Sequence, residues 1–180
     1  DAVGNPLFYN YEKTGMISPG TLCFLAVLQD IKTRLVDPKD KRVCEIGSGY
    51  GGQANIILKY GVKSMDLIDR PQTLALAKKY LSLYKHPNVS FQDTESIEQK
   101  EYDLVVSNWC LSALDLKGIQ FYIDNVIKTC NYGYFLINFR DESKQQWMID
   151  ELSKSFSKVI LEEENPPTNE IKNYVLLCSK

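Results

Sequence analysis

Apolar residues along this chain fall into short runs that alternate with helical patterns. Residues 42–46 (R-V-C-E-I) run straight into a cluster of glycines and read as a buried strand. Residues 53–60 follow with Ala54, Ile57 and Leu58 on one helical face. Residues 64–68 read as a second strand, after which Arg70-Pro71 opens a helix with Leu74, Ala77, Leu81 and Tyr84 along its stripe. Residues 88–92 and 102–107 form a third and a fourth strand. Asp115 is placed to cap a helix that turns Ile119, Tyr122, Ile123, Val126 and Ile127 inward. Residues 132–138 make a fifth strand and 144–156 a polar-sided helix. There the alternation stops: 158–162 and 173–179 are strand-like, with only the Pro166-Pro167 loop between them. Ahead of all this, Ser18-Pro19 starts a helix that Asp37-Pro38 ends near Val36, and the first 17 residues look irregular.

Five strand–helix units and a terminal hairpin predict an open α/β sheet, mostly parallel, with helices on both faces. Residues 1–36 form a leading segment and helix that pack on a domain of residues 37–180, one domain overall. Ligands of such sheets sit at the carboxyl ends of the strands, beside the strand where the order reverses. The residues after each strand therefore carry the chemistry.

Composition narrows the classes. Hydrophobic residues at 44% and charged residues at 24% are those of an ordinary globular chain. A net charge of −2 argues against a nucleic-acid partner held by phosphate neutralisation. No apolar run reaches membrane-spanning length, so no membrane partner is expected. Cys23, Cys44, Cys110, Cys130 and Cys178 are odd in number and widely spaced, which reads as reduced thiols in a cytoplasmic protein. One histidine, His86, leaves no zinc site, and no metal is expected. The chain begins at Asp1 and not at methionine, which points to a trimmed or partial protein.

The turn after the first strand is Glu45-Ile46-Gly47-Ser48-Gly49-Tyr50-Gly51-Gly52. Its glycines let the backbone approach a ligand, and the helix start behind it presents free N–H groups. Gly47, Gly49 and Gly52 also satisfy the dinucleotide fingerprint, but Glu45 would set a carboxylate beside a pyrophosphate. The same carboxylate suits an ammonium or sulfonium group, which disfavours a nicotinamide-dependent oxidoreductase. Asp69 ends the second strand where an acidic side chain can take both hydroxyls of a ribose. Asp93 follows the third strand, placed to meet an adenine amino group, with a plain turn aspartate as the other reading. Asn108 and Trp109 follow the fourth strand and face the cleft.

These stretches, E-I-G-S-G-Y-G-G with L-I-D-R-P, Q-D and Y-D-L-V-V-S-N, resemble the class I S-adenosylmethionine-dependent methyltransferases. The longer runs L-I-D-R-P-Q-T-L-A-L-A-K-K-Y-L and N-W-C-L-S-A-L-D-L-K-G-I-Q-F-Y-I-D-N are similar to a family of sugar O-methyltransferases, over about residues 40–140. The resemblance implies a Rossmann-like seven-stranded mixed sheet and S-adenosyl-L-methionine as cofactor. It implies cofactor contacts from Glu45, Gly47, Gly49, Tyr50, Gly51, Asp69, Arg70, Asp93, Thr94, Asn108 and Trp109. The acceptor would be a sugar or another small polar molecule. That family carries a Glu-Met pair after the fourth-strand asparagine, where this chain has Cys110-Leu111-Ser112-Ala113-Leu114. Ala113 standing for the acidic residue motivates a second reading, a methyltransferase fold kept as a binding or scaffold module.

A sugar hydroxyl is weakly acidic, so a general base is sought. His86 lies at the amino end of the sheet. Asp141, after the fifth strand, is the carboxylate expected as base, with a helix cap as its other role, and Asn108 can orient a hydroxyl. Asn5, Tyr9 and Tyr11 are expected near the acceptor entrance.

Overall fold

The computed structural model describes residues 2–168, 170 and 172–180. The chain opens with a small hairpin of β1 (Tyr9–Tyr11) and β2 (Gly15–Ile17), paired antiparallel. The first 17 residues are thus not wholly irregular. Each strand has three residues and lacks apolar alternation, so no strand pattern marks them; Gly15 at φ +77° turns the chain instead. Helix α1 (Pro19–Arg34) follows, with the Ser18 hydroxyl accepting from the Thr21 N–H at 3.3 Å.

The main sheet contains β3 (Arg42–Ile46), β4 (Ser64–Asp69), β5 (Val89–Asp93), β6 (Leu104–Asn108), β7 (Tyr132–Ile137), β8 (Lys158–Glu163) and β9 (Tyr174–Ser179). Its order is β5-β4-β3-β6-β7-β9-β8. The first five are mutually parallel, and β9 runs antiparallel between β7 and β8. Ser179 is therefore level with Tyr132 and Tyr174 with Ile137. The predicted seven-stranded sheet with a reversed hairpin is the one observed.

Side chains alternate across the strands and two cores result. On one face α1, α2 (Gly52–Tyr60) and α3 (Pro71–Leu81) press Val27, Ile31, Ile57, Leu74 and Ala77 onto Val43, Met65, Leu67 and Val106. On the other, α4 (Cys110–Ala113), α5 (Leu116–Asn125) and α6 (Glu142–Leu152) bring Leu111, Ile119, Ile123 and Met148 to Cys44, Ile68, Val105 and Phe135. Several helix boundaries differ from the pattern: α5 ends at Asn125, with Ile127 in a separate short turn, and α6 ends at Leu152. Helix α3 ends at Leu81, leaving Tyr84 in the turn beyond it, and α6 starts earlier because Asp141 caps it.

The connection from β5 to β6 carries no helix. There the buried Asp66 carboxylate gathers Ser90 Oγ at 2.5 Å, Gln92 Nε2 at 2.6 Å, and Lys100 Nζ and Tyr102 Oη at 2.9 Å each. Burial alone would raise its pKa, but the bonds from Ser90, Lys100 and Tyr102 outweigh it and hold the carboxyl below its ordinary value. Among the described residues no helix is long and apolar enough to cross a membrane.

Candidate functional site

Strand β3 pairs with β4 on one side and β6 on the other, so the chain leaves in opposite directions and a crevice opens at the strands' carboxyl ends. The glycine turn fills its floor. Gly47 (φ +79°) donates its N–H to the Ile68 carbonyl at 2.9 Å, and a Cβ there would stand 2.3 Å from Cys110 Cβ. Gly49 (φ +53°) has open space at that position, and its N–H donates to Asp69 Oδ2 at 3.1 Å. Gly51 (φ +90°) caps α2, where a Cβ would press on Leu81 at 3.2 Å.

Above the turn lies a cavity of about 810 Å³. Of the residues singled out in the sequence, Gly47, Gly49, Asp69, Arg70, Thr94, Asn108 and Trp109 line it together. Tyr50 does not. Its ring packs edge-on against Tyr80, with centroids 5.0 Å apart, and tilts against Phe24. Asp93 closes a turn, Oδ1 accepting from the Glu95 N–H at 3.0 Å, and also lies off the wall. Pattern reading missed Cys110 and Phe121 as lining residues, and it counted Tyr122 only as core. Phe121 is visible in hindsight as a large apolar residue one place off the helix's inward stripe.

Polar atoms buried without a partner concentrate in β3, the glycine turn, the start of α2 and the residues at the end of β6, of which Asn108 and Trp109 line the cavity. Glu45 Oε2, Ser48 Oγ, Gln53 Nε2, Asn108 Oδ1 and Trp109 Nε1 lack one, and the remaining such atom among the described residues is Asn173 Oδ1. Buried polar groups are normally satisfied, so a cluster of exceptions at a strand-end crevice calls for a ligand-based explanation. Asn108 Nδ2 donates to Gln53 Oε1, which binds the end of β6 to the start of α2. Gln53 went unremarked in the sequence. Its signal is an amide in the first turn of a helix whose neighbouring positions are apolar, and it is 2% exposed. Glu45 is 3% exposed, and burial, with the nearby Asp69 charge adding, pushes its carboxyl up to about 8. Trp109 holds a left-handed backbone (φ +59°), a strained conformation of the kind that accumulates at functional sites.

A second hollow of about 460 Å³ shares Trp109 and Ala113 with the cavity. Asp141 belongs to this hollow. Its Oδ1 accepts from the Ser143 hydroxyl at 2.7 Å and N–H at 2.9 Å, bonds that hold the carboxyl below its ordinary value. The geometry is that of a helix cap. His86 lies away from both hollows, its Nε2 2.9 Å from Asn55 Oδ1. Among the described residues no three His, Cys, Asp or Glu side chains gather as a metal site.

No family model matches the chain, and no curated protein matches it in sequence. Solved structures do match. The N-methyltransferase NodS of Bradyrhizobium japonicum, in complex with S-adenosyl-L-homocysteine, is 18% identical with a TM-score of 0.64, over 89% of this chain and 85% of that one. Magnesium protoporphyrin IX methyltransferase of Synechocystis with bound SAM is 12% identical with a TM-score of 0.68, over 90% and 80% of the two chains. A Pyrococcus horikoshii protein described as a candidate RNA methyltransferase is 13% identical with a TM-score of 0.68, over 88% and 81%. At these identities the likeness is one of fold. The chain has the Rossmann-like fold of the class I S-adenosylmethionine-dependent methyltransferases.

Proposed function

We propose that this chain is an S-adenosyl-L-methionine-dependent methyltransferase acting on a hydroxyl of a sugar or another small polar acceptor. The observation that carries this reading is the set of unpartnered atoms on β3, at the start of α2 and at the end of β6. Glu45 Oε2 and Asn108 Oδ1 are free acceptors, while Gln53 Nε2 and Trp109 Nε1 are free donors. Together they complement the ammonium and carboxylate of an amino acid, the group at one end of this cofactor. A nicotinamide dinucleotide would instead bring a pyrophosphate toward a carboxylate that is already costly to ionise.

Glu45, Gln53, Asn108 and Trp109 would hold the amino-acid end, and Asp69 the ribose hydroxyls. Arg70 and Thr94 flank the far wall of the cavity. When bound, the cofactor supplies an electrophilic methyl group on sulfonium sulfur. The task left to the protein is alignment and exclusion of water. Asp141, held acidic by Ser143, is a poor proton acceptor, so the hydroxyl is oriented by neutral groups such as Asn108 rather than ionised beforehand.

Calorimetry tests the reading directly. S-adenosylhomocysteine binds and NAD does not, and Asp69→Ala weakens binding by roughly 2 to 4 kcal/mol through loss of two charge-assisted hydrogen bonds. Unchanged affinity in that variant refutes the site. Asp141's role as a cap also favours a second reading, a fold that binds cofactor without turnover. Methyl transfer to hydroxylated acceptors separates the two.

A further inference from the structure

The second hollow is unevenly furnished. Arg140 lines it, and its guanidinium has no hydrogen-bond or ion-pair partner among the described residues. Lys144 Nζ is fixed by the Leu114 carbonyl and stands 5.2 Å from the centre of the Phe139 ring, with no carboxylate paired to it among the described residues. On the same wall Asp141 Oδ1 is engaged by Ser143 and Ser112 Oγ by the Asn138 N–H at 2.9 Å, and the Asp141 carboxylate, which feels the Lys144 charge, offsets one of the two cations. Two cations thus stand against one carboxylate, and the Arg140 guanidinium is left over. A neutral sugar offers donors and acceptors in similar number and would leave that charge uncompensated. A carboxylate or phosphate offers acceptor oxygens alone, and a guanidinium binds either through paired hydrogen bonds.

We infer that the methyl acceptor is a hydroxylated anion, a small molecule bearing a carboxylate or phosphate near the hydroxyl that is methylated. Its anionic group meets Arg140 and Lys144, and its body lies along Trp109 and Phe139. Trp109 and Ala113 line both spaces, so the hollow adjoins the cofactor cavity and the acceptor hydroxyl is turned toward the side where the two meet. A hollow of about 460 Å³ suits a ligand of monosaccharide size. The hydroxyl rests on the proposed methyl transfer; the anion site stands on the hollow's own residues.

The test is titration of the full chain with D-glucuronate, glucose 6-phosphate and D-glucose, with and without saturating S-adenosylhomocysteine. At low salt one of the two anions binds at least about tenfold more tightly than glucose, and which one does so identifies the carboxylate or the phosphate. Arg140→Gln weakens that anion by about fivefold or more and leaves S-adenosylhomocysteine affinity unchanged. The inference is overturned if glucose binds as tightly, if none of the three binds, or if Arg140→Gln has no effect. Failure of S-adenosylhomocysteine to bind removes the cofactor reading instead, and the anion preference is still read without it.

Discussion

Glu45, pushed up to about 8 by burial, keeps a proton in the folded chain at pH values where the unfolded chain has lost it. The folded state therefore binds more protons between the ordinary value of 4.5 and about 8, and stability falls as pH rises through that window. The loss is on the order of 5 kcal/mol at most, spread over several pH units. Urea midpoints should drop between about pH 5 and about pH 8, and Glu45→Gln should flatten the drop. A ligand ammonium favours the charged carboxylate, so cofactor binding near neutrality should release a proton. Binding heats in two buffers of different ionisation enthalpy read that release, and equal heats would contradict it. The glycine turn was legible as a ligand cradle, but the division of labour inside it was not. Gly47 is held by Cys110, which lies far along the chain, whereas Gly49 faces open space. Gly47→Ala should destabilise the protein by about 3 kcal/mol or more, since a Cβ overlaps backbone-anchored atoms at a positive φ. Gly49→Ala should cost about 1 kcal/mol of stability while impairing cofactor binding. Thermal unfolding and calorimetry on the two variants separate these outcomes.

Elements that bury an apolar face announced themselves, because burial imposes a period on the sequence. All seven strands of the main sheet and the long helices fall in that group. The terminal hairpin was readable too, since no helix pattern separates its strands. The pieces that escaped are set by backbone conformation rather than periodicity. The β1–β2 hairpin depends on its turn, and α4 follows Trp109, whose left-handed conformation no residue preference predicts. This hairpin makes few core contacts: Ile17 is buried, while Leu7, Tyr9 and Met16 are exposed. Removal of residues 1–16 should leave the sheet and the Ser18 cap intact, with the unfolding midpoint little changed. Asn5, Tyr9 and Tyr11, expected near the acceptor entrance, line neither hollow; Tyr11 lines a groove with α1 and the Pro166-Pro167 loop, so ligand affinities at both hollows should be unchanged in the same truncation. Ser18→Ala, by contrast, should lower stability by about 1 kcal/mol through loss of the cap.

At the scale of the whole molecule, strand order placed the crevice before any side chain was considered, which is why Gly47, Gly49, Asp69, Asn108 and Trp109 could be grouped from sequence. The contacts of Gln53 with Asn108 and of Arg140 with the second hollow required three dimensions, because neither follows from spacing along one element. A ligand that binds only the folded chain should stabilise it: S-adenosylhomocysteine at about 100 times its Kd should add roughly 2.7 kcal/mol in urea unfolding. The antiparallel course of β9 has a practical side. It carries the chain back to the level of Tyr132, where the Lys180 N–H donates to the Asn131 carbonyl at 3.1 Å. Lys180 thus emerges at the end of the sheet opposite the mouth of both hollows. A dye, bead or sensor chip attached through that residue faces away from incoming small molecules. Protein captured this way should report the same affinities as protein free in solution, which makes Lys180 a natural handle for screening acceptors.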